Sequence, residues 1–185
     1  MKKMLWIVLV LTINSCKKKD AVSYYNENPY KLLVTYNDFK FGCYVDENLK
    51  NSHEHLSKSK GNKKLEFMYY SKFKNDSTGL FLTIHNTIII SKTDSETQND
   101  YKEHYKDIFS RQVNDSFVTK NNLSDKLKFG NSTFIEFINK EQGIKTYAFE
   151  GVRQNKFVVF TISGCLNRDS VANKIRTQIC KIDSL

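Results

Sequence analysis

Apolar residues follow two rhythms along the chain, and the switch between them outlines a fold. Alternation with a period of two marks a half-buried strand. It begins in YKLLVTY (30–36) and FKFGCYV (39–45), and returns in LEFMYY (65–70), LFLTI (80–84) and III (88–90). The polar stretch DENLKNSHEHLSKSKGNKK (46–64) between them reads as a solvated loop. From 93 to 113 the spacing turns helical, with Tyr101, Tyr105, Ile108, Phe109 and Gln112 on one face. Thr93 and Glu96 form a capping-box pattern, and Asp94, Glu96 and Asp100 place negative charge where the helix dipole favours it.

The period of two then resumes. FV (117–118) and LKF (127–129) introduce TFIEFI (133–138), the turn KEQG (140–143) leads to KTYAFE (145–150), and RQNK (153–156) leads to FVVFTI (157–162). That last run is apolar on both alternating sets, as expected of a strand covered on both faces. After Asp169, Val171, Ile175, Ile179 and Ile182 form one helical stripe from which Cys180 is displaced. The pattern predicts an α+β protein: a central antiparallel sheet with one mid-chain helix and one C-terminal helix packed on it.

The amino terminus follows neither rhythm. Lys2 and Lys3 precede an apolar run, 4–13, and the segment closes as Ile13-Asn14-Ser15-Cys16. A bilayer-spanning helix needs about 20 apolar residues, so this run reads as an export signal. It has no Ala-x-Ala-like end. Its ending resembles the lipobox of bacterial lipoproteins, which implies cleavage before Cys16, a diacylglyceryl group on its thiol and a further acyl chain, such as palmitate, on its freed amine. One acyl chain gives only marginal membrane binding, whereas two or three hold a small protein firmly, at about 0.8 kcal/mol per buried methylene. The plainer reading is an ordinary signal peptide in which Cys16 is incidental. The chain therefore divides into a signal (1–15), a lipidated cysteine with a flexible tether (16–29) and one α+β domain (30–185).

Charge changes this picture little. The formal net charge is +9, but two of those charges are Lys2 and Lys3 of the leader. The remaining lysines are scattered except for Lys17, Lys18 and Lys19, which can rest on anionic headgroups beside the anchor. A nucleic-acid partner conflicts with the exported location. The expected partners are the lipid bilayer, through the chains on Cys16, and an envelope protein. Basic residues after Cys16, in place of an aspartate or an acidic run, favour the outer membrane with the domain facing the periplasm. Export permits disulfides. The cysteines besides Cys16 are Cys43, Cys165 and Cys180, so at least one is unpaired within a monomer. Several helical turns weigh against a bond between Cys165 and Cys180.

Candidate chemistry is sparse. The sequence has no Gly-x-Ser-x-Gly elbow, no phosphate-binding loop and no His-Glu-x-x-His. His53-Glu54-His55 is the suggestive cluster, because imidazoles ligate zinc and copper, but a loop would not aim both rings one way. No cofactor is expected. His85 on a strand and His104 on a helix read as surface or packing residues. Glu136 and Glu150 fall on adjacent predicted strands, either facing one another across the sheet or exposed on half-solvated faces. Tyr69, Tyr70, Tyr101, Tyr105 and Tyr147 line a groove or fill a core.

The early aromatic segment YNDFKFGCYVDENLK, the mid-chain helix, the paired strands around Gly130 and the FVVFTISG strand before a C-terminal helix together resemble the PsbP-like family, which includes DcrB-like envelope lipoproteins. That resemblance implies an assembly or binding accessory and transfers no catalytic residue. The expected function is a membrane-anchored, non-enzymatic envelope lipoprotein. The alternative is a lipid-anchored hydrolase with a site assembled from distant residues.

Overall fold

The computed structural model describes residues 29–39, 50–60, 64–75, 79, 81–111 and 117–185, with 29–30, 50–52 and 104–111 at backbone level. Cys16, Cys43, the signal and most of the tether lie outside the described residues, as does nearly all of the expected strand at 39–45. Seven strands form one antiparallel sheet: β1 (Lys50–Lys60), β2 (Lys64–Lys74), β3 (Phe81–Ser91), β4 (Val118–Asn122), β5 (Asn131–Asn139), β6 (Lys145–Arg153) and β7 (Lys156–Gly164). Their spatial order is β1-β2-β3-β7-β6-β5-β4. Two meanders thus meet where β3 pairs with β7. Helix α1 (Asp94–Arg111) is the connection from central β3 to β4 at the far edge, and helix α2 (Arg168–Asp183) closes the chain. The α+β class and both expected helices are present.

Each helix takes one face of the sheet. On the first face, Val171, Ala172, Ile175, Ile179 and Ile182 of α2 share a core with Phe67, Tyr69, Ile84, Phe134, Tyr147, Phe149, Val158, Phe160 and Ile162. Full burial of such side chains contributes about 1.5–3 kcal/mol each, so this layer dominates the stabilisation of the fold. Asn167 caps α2 by accepting from the backbone N–H groups of Asp169 and Ser170. On the second face, Ile89, Val152, Phe157 and Val159 form a smaller cluster with Tyr101 of α1, whose ring meets Phe157 edge-on at 5.9 Å. The backbone N–H of Glu96 donates to Thr93 Oγ1 at 3.3 Å, giving one half of the expected capping box. Strand β7 therefore has apolar cover on both sides, as its sequence predicted.

Three expectations are corrected. Residues 30–36 are not a strand but a 3-10 turn (Pro29–Leu32) followed by a bend, and Leu32, Leu33 and Val34 are buried in the α2-side core. Their apolar run reflected burial, which strand and irregular segment share. The "loop" at 46–64 contains β1, an 11-residue strand. As an edge strand it carries Lys50, Lys58 and Lys60, residues that discourage further pairing, so it shows no apolar alternation to read. The described part of the run at 80–84 and the run at 88–90 belong to one strand, Phe81–Ser91, interrupted in sequence by the polar His85-Asn86-Thr87. Asn86 is fully buried, and its amide pairs with the backbone of Val34 in both directions: Val34 N–H to Oδ1 at 3.0 Å and Nδ2–H to Val34 O at 2.9 Å.

Gly130 sits where β5 begins, with φ +60, and a Cβ there would lie 2.2 Å from the carbonyl oxygen of Val152. Only glycine admits that approach without a shift of backbone.

Candidate functional site

Side chains alternate between the two faces of a strand, so the register assigns each polar residue to a side. Phe157 and Val159 lie beneath α1; Thr161 and Ser163 continue the same side of β7 and are half-buried. The strand is thus apolar where the helix covers it and hydroxylated beyond. β3 repeats the gradient, from Ile89 through Thr87 and His85 to Thr83. Aligned across the sheet, these residues define two rows on the face that carries α1, exposed or half-buried from β1 to β6 and buried at Ile135 and Phe137 of β5.

The first row runs from His55 through Tyr70, His85 and Thr161 to Ala148 and Ile135. The second runs from His53 through Lys72, Thr83 and Ser163 to Thr146, Phe137 and Lys120. His53, His55, Lys72 and Lys120 are exposed, while Tyr70, His85, Thr83 and Thr146 are half-buried. The His53 and Tyr70 rings lie 5.6 Å apart, and the hydroxyls of Thr146 and Ser163 are hydrogen-bonded at 2.9 Å. Towards β5 the face dips into a shallow depression of about 10 Å³, lined by Thr133, Ile135, Phe137, Ala148, Glu150 and Val159. That is room for about one water.

β1 thus brings His53 and His55 to one face, which a loop would not do. A zinc or copper site needs a further donor within reach of both rings. Among the described residues no group of three or more His, Cys, Asp or Glu is placed to hold a metal ion. His85 shares the row with His55 but stands two strands away, about 10 Å by interstrand spacing.

Glu136 and Glu150 neither face one another nor reach solvent, which corrects both sequence readings. Glu136 sits opposite Tyr147 and Glu150 opposite Thr133, so the carboxylates project from opposite faces, and both are buried. Glu136 belongs to the α2 side. Arg168, the first residue of α2, forms an ion pair with it through a terminal nitrogen and donates from Nε at 3.3 Å. Asn121 of β4 donates at 2.8 Å. Burial pushes the Glu136 carboxyl up, but hydrogen bonds from Arg168, Asn121 and Tyr147, with the guanidinium charge, outweigh it and hold the group below its ordinary value. Every partner belongs to the fold itself, and the cluster ties edge strand β4 to the start of α2. It is a structural clamp.

The tyrosines divide. Tyr69 and Tyr147 are core residues, Tyr70 is half-buried beside His53, Tyr101 of α1 packs on Phe157, and the side chain of Tyr105 lies outside the described part. Cys165 and Cys180 are both exposed thiols and are not joined to one another. Sequence reading missed the hydroxyl row and Arg168. The one legible signal was the change from Phe157 and Val159 to Thr161 and Ser163 on alternate positions, which marks where helix cover ends.

Among the described residues no helix is long and apolar enough to cross a membrane. No family model matches the chain, and no curated protein matches it. A solved structure with a similar fold is the extracellular domain of PknH from Mycobacterium tuberculosis, with a TM-score of 0.55 over 84% of this chain and 94% of that chain, at 7% sequence identity. At that identity the likeness is one of fold.

Proposed function

We propose that this chain is a lipid-anchored, non-enzymatic binding module of a bacterial cell envelope. In this reading acyl chains on Cys16 hold it at the outer membrane, and the domain faces the periplasm with its open sheet face available to a partner. The observation that carries the proposal is the leader ending in Ile13-Asn14-Ser15-Cys16 joined to a domain whose strands β1, β2, β3 and β7 carry exposed or half-buried polar side chains on the α1 side of the sheet. The fold likeness to a domain described as extracellular supports the same side of the membrane. Kinship with PsbP-like and DcrB-like proteins is part of this reading and rests on element order alone. The hydrolase alternative gains nothing from the two buried carboxylates, because they point to opposite faces and Glu136 is held by Arg168 and Asn121.

The test is to express the chain in a bacterium with its leader intact and compare it with Cys16→Ala. The expected result is a membrane-bound protein whose mature mass exceeds that of the polypeptide from residue 16 by two or three acyl chains. The variant should lack that added mass. An unacylated protein in the aqueous fraction would refute the anchor.

A further inference from the structure

We infer that one end of the domain docks on an anionic bilayer, the end at which the anchored segment enters, with Lys60 and Lys92 against the headgroups. This inference rests on the anchor at Cys16 and adds the surface that meets the membrane. Three contacts fix the direction in which residues 29–39 cross the sheet. Lys181 Nζ, in the last turn of α2, donates to the carbonyl of Lys31 at 3.3 Å. Asn86 holds Val34 at the middle of β3, and the Tyr36 ring stacks on Phe73 at 4.1 Å near the far end of β2. Pro29 therefore lies where the end of α2 meets the β6–β7 turn, through the Arg153–Asp183 ion pair and Lys156 Nζ on the Asp183 carbonyl. The register brings the β1–β2 turn and the end of β3 to the same place: Lys60 is opposite Leu65, Leu65 opposite Ile90, and Ile90 opposite Lys156.

Chain length turns this direction into an orientation. Twelve residues, 17–28, join Cys16 to Pro29, and a chain of that length reaches about 40–43 Å at full extension. Strand β2, with 11 residues, is about 36 Å long. With the entry end towards the bilayer the joining segment keeps its conformational freedom. With the far end towards the bilayer it runs the length of the domain at nearly full stretch, which chain entropy opposes. The charges of the entry end agree. Lys64 is balanced by Glu66 and Asp100, and Arg153 by Asp183. Asp94 and Glu96 lie in the first turn of α1, where they offset its dipole. Lys60 and Lys92 are exposed and, among the described residues, enter no ion pair. A lysine brought close to an anionic surface favours docking by about fivefold. The rival contact is Phe117 at the far end, 55% exposed, whose carbonyl accepts from the Lys140 N–H beside the β5–β6 turn.

Cleavage before Cys16 removes Trp6, the single tryptophan of the sequence, so an introduced tryptophan reports alone. The experiment places the acylated chain in vesicles of phosphatidylglycerol and phosphatidylethanolamine that contain a dansyl-labelled headgroup. Energy transfer is measured from Ser59→Trp, beside Lys60, and from Gln142→Trp, at the β5–β6 turn; both positions are exposed. Transfer should be strong from Ser59→Trp and weak from Gln142→Trp. It should weaken from Ser59→Trp when phosphatidylcholine replaces phosphatidylglycerol. In Lys60→Ala/Lys92→Ala the ratio of docked to undocked protein should fall about 25-fold, fivefold for each charge. Lys102→Ala/Lys140→Ala, which removes two exposed cations elsewhere, should leave it unchanged. If Ser59→Trp does not fold, Ser95→Trp in the first turn of α1 replaces it with the same expectations. Equal or stronger transfer from Gln142→Trp, or indifference to lipid charge and to Lys60→Ala/Lys92→Ala, overturns the inference and leaves the anchor standing. Vesicles that float without the protein remove both.

Discussion

Two polar residues carry more of this fold than their chemistry advertises. Glu136 is a carboxylate at 1% exposure, balanced by a guanidinium that is 40% exposed. The asymmetry predicts unequal mutations. Arg168→Ala leaves a buried charge with Asn121 and Tyr147 as its remaining donors, and should cost about 3–5 kcal/mol. Glu136→Gln keeps a buried hydrogen-bonding group and lets Arg168 turn to water, and should cost about 1–2 kcal/mol. Urea unfolding of both variants at neutral pH checks the order. The sign of the pH dependence follows from the lowered carboxyl of Glu136. Its contribution is complete above the unfolded-state value of about 4.3 and is lost as pH falls through the lower folded-state value. The unaltered protein should therefore lose stability below that range more steeply than Glu136→Gln.

At the scale of elements, the segment at 30–36 shows how an irregular stretch can be as firmly placed as a helix. Leu32, Leu33 and Val34 are fully buried in the α2-side core, and Asn86 of β3 satisfies both backbone groups of Val34. Asn86→Ala leaves a buried N–H and a buried C=O unpaired at about 1–3 kcal/mol each, so a loss of about 2–6 kcal/mol is expected. Limited proteolysis should then cut first within 30–39, whereas the unaltered protein should resist there. This element was misread because burial and strand pairing leave the same apolar imprint on a short run. β1 was misread for the converse reason, since an edge strand rich in lysine leaves no imprint at all. The two helices were legible because their apolar stripes repeat at a period no strand shares, and α2 buries its stripe against the sheet.

For the whole molecule, the decisive feature is the crossover. α1 carries the chain from the centre of the sheet to its far edge, so the second meander returns to pair β7 with β3. One core cluster then spans both meanders, from Phe73 on one side to Phe134 on the other. Unfolding should be a single cooperative transition, with far-ultraviolet and tyrosine signals coincident in urea and Asn86→Ala and Arg168→Ala both shifting that one transition. Separate transitions for the two meanders would contradict the shared core.

Local patterns alone determined the α+β class, both helices and the doubly covered β7, because apolar run length and periodicity are properties of neighbours in sequence. Tertiary structure alone decided which residues share a surface. His55, Tyr70, His85 and Thr161 became one row only when four strands took their register, and Glu136 and Glu150 parted to opposite faces for the same reason. Side-chain direction alternates with each residue, so a face exists only once distant strands are paired.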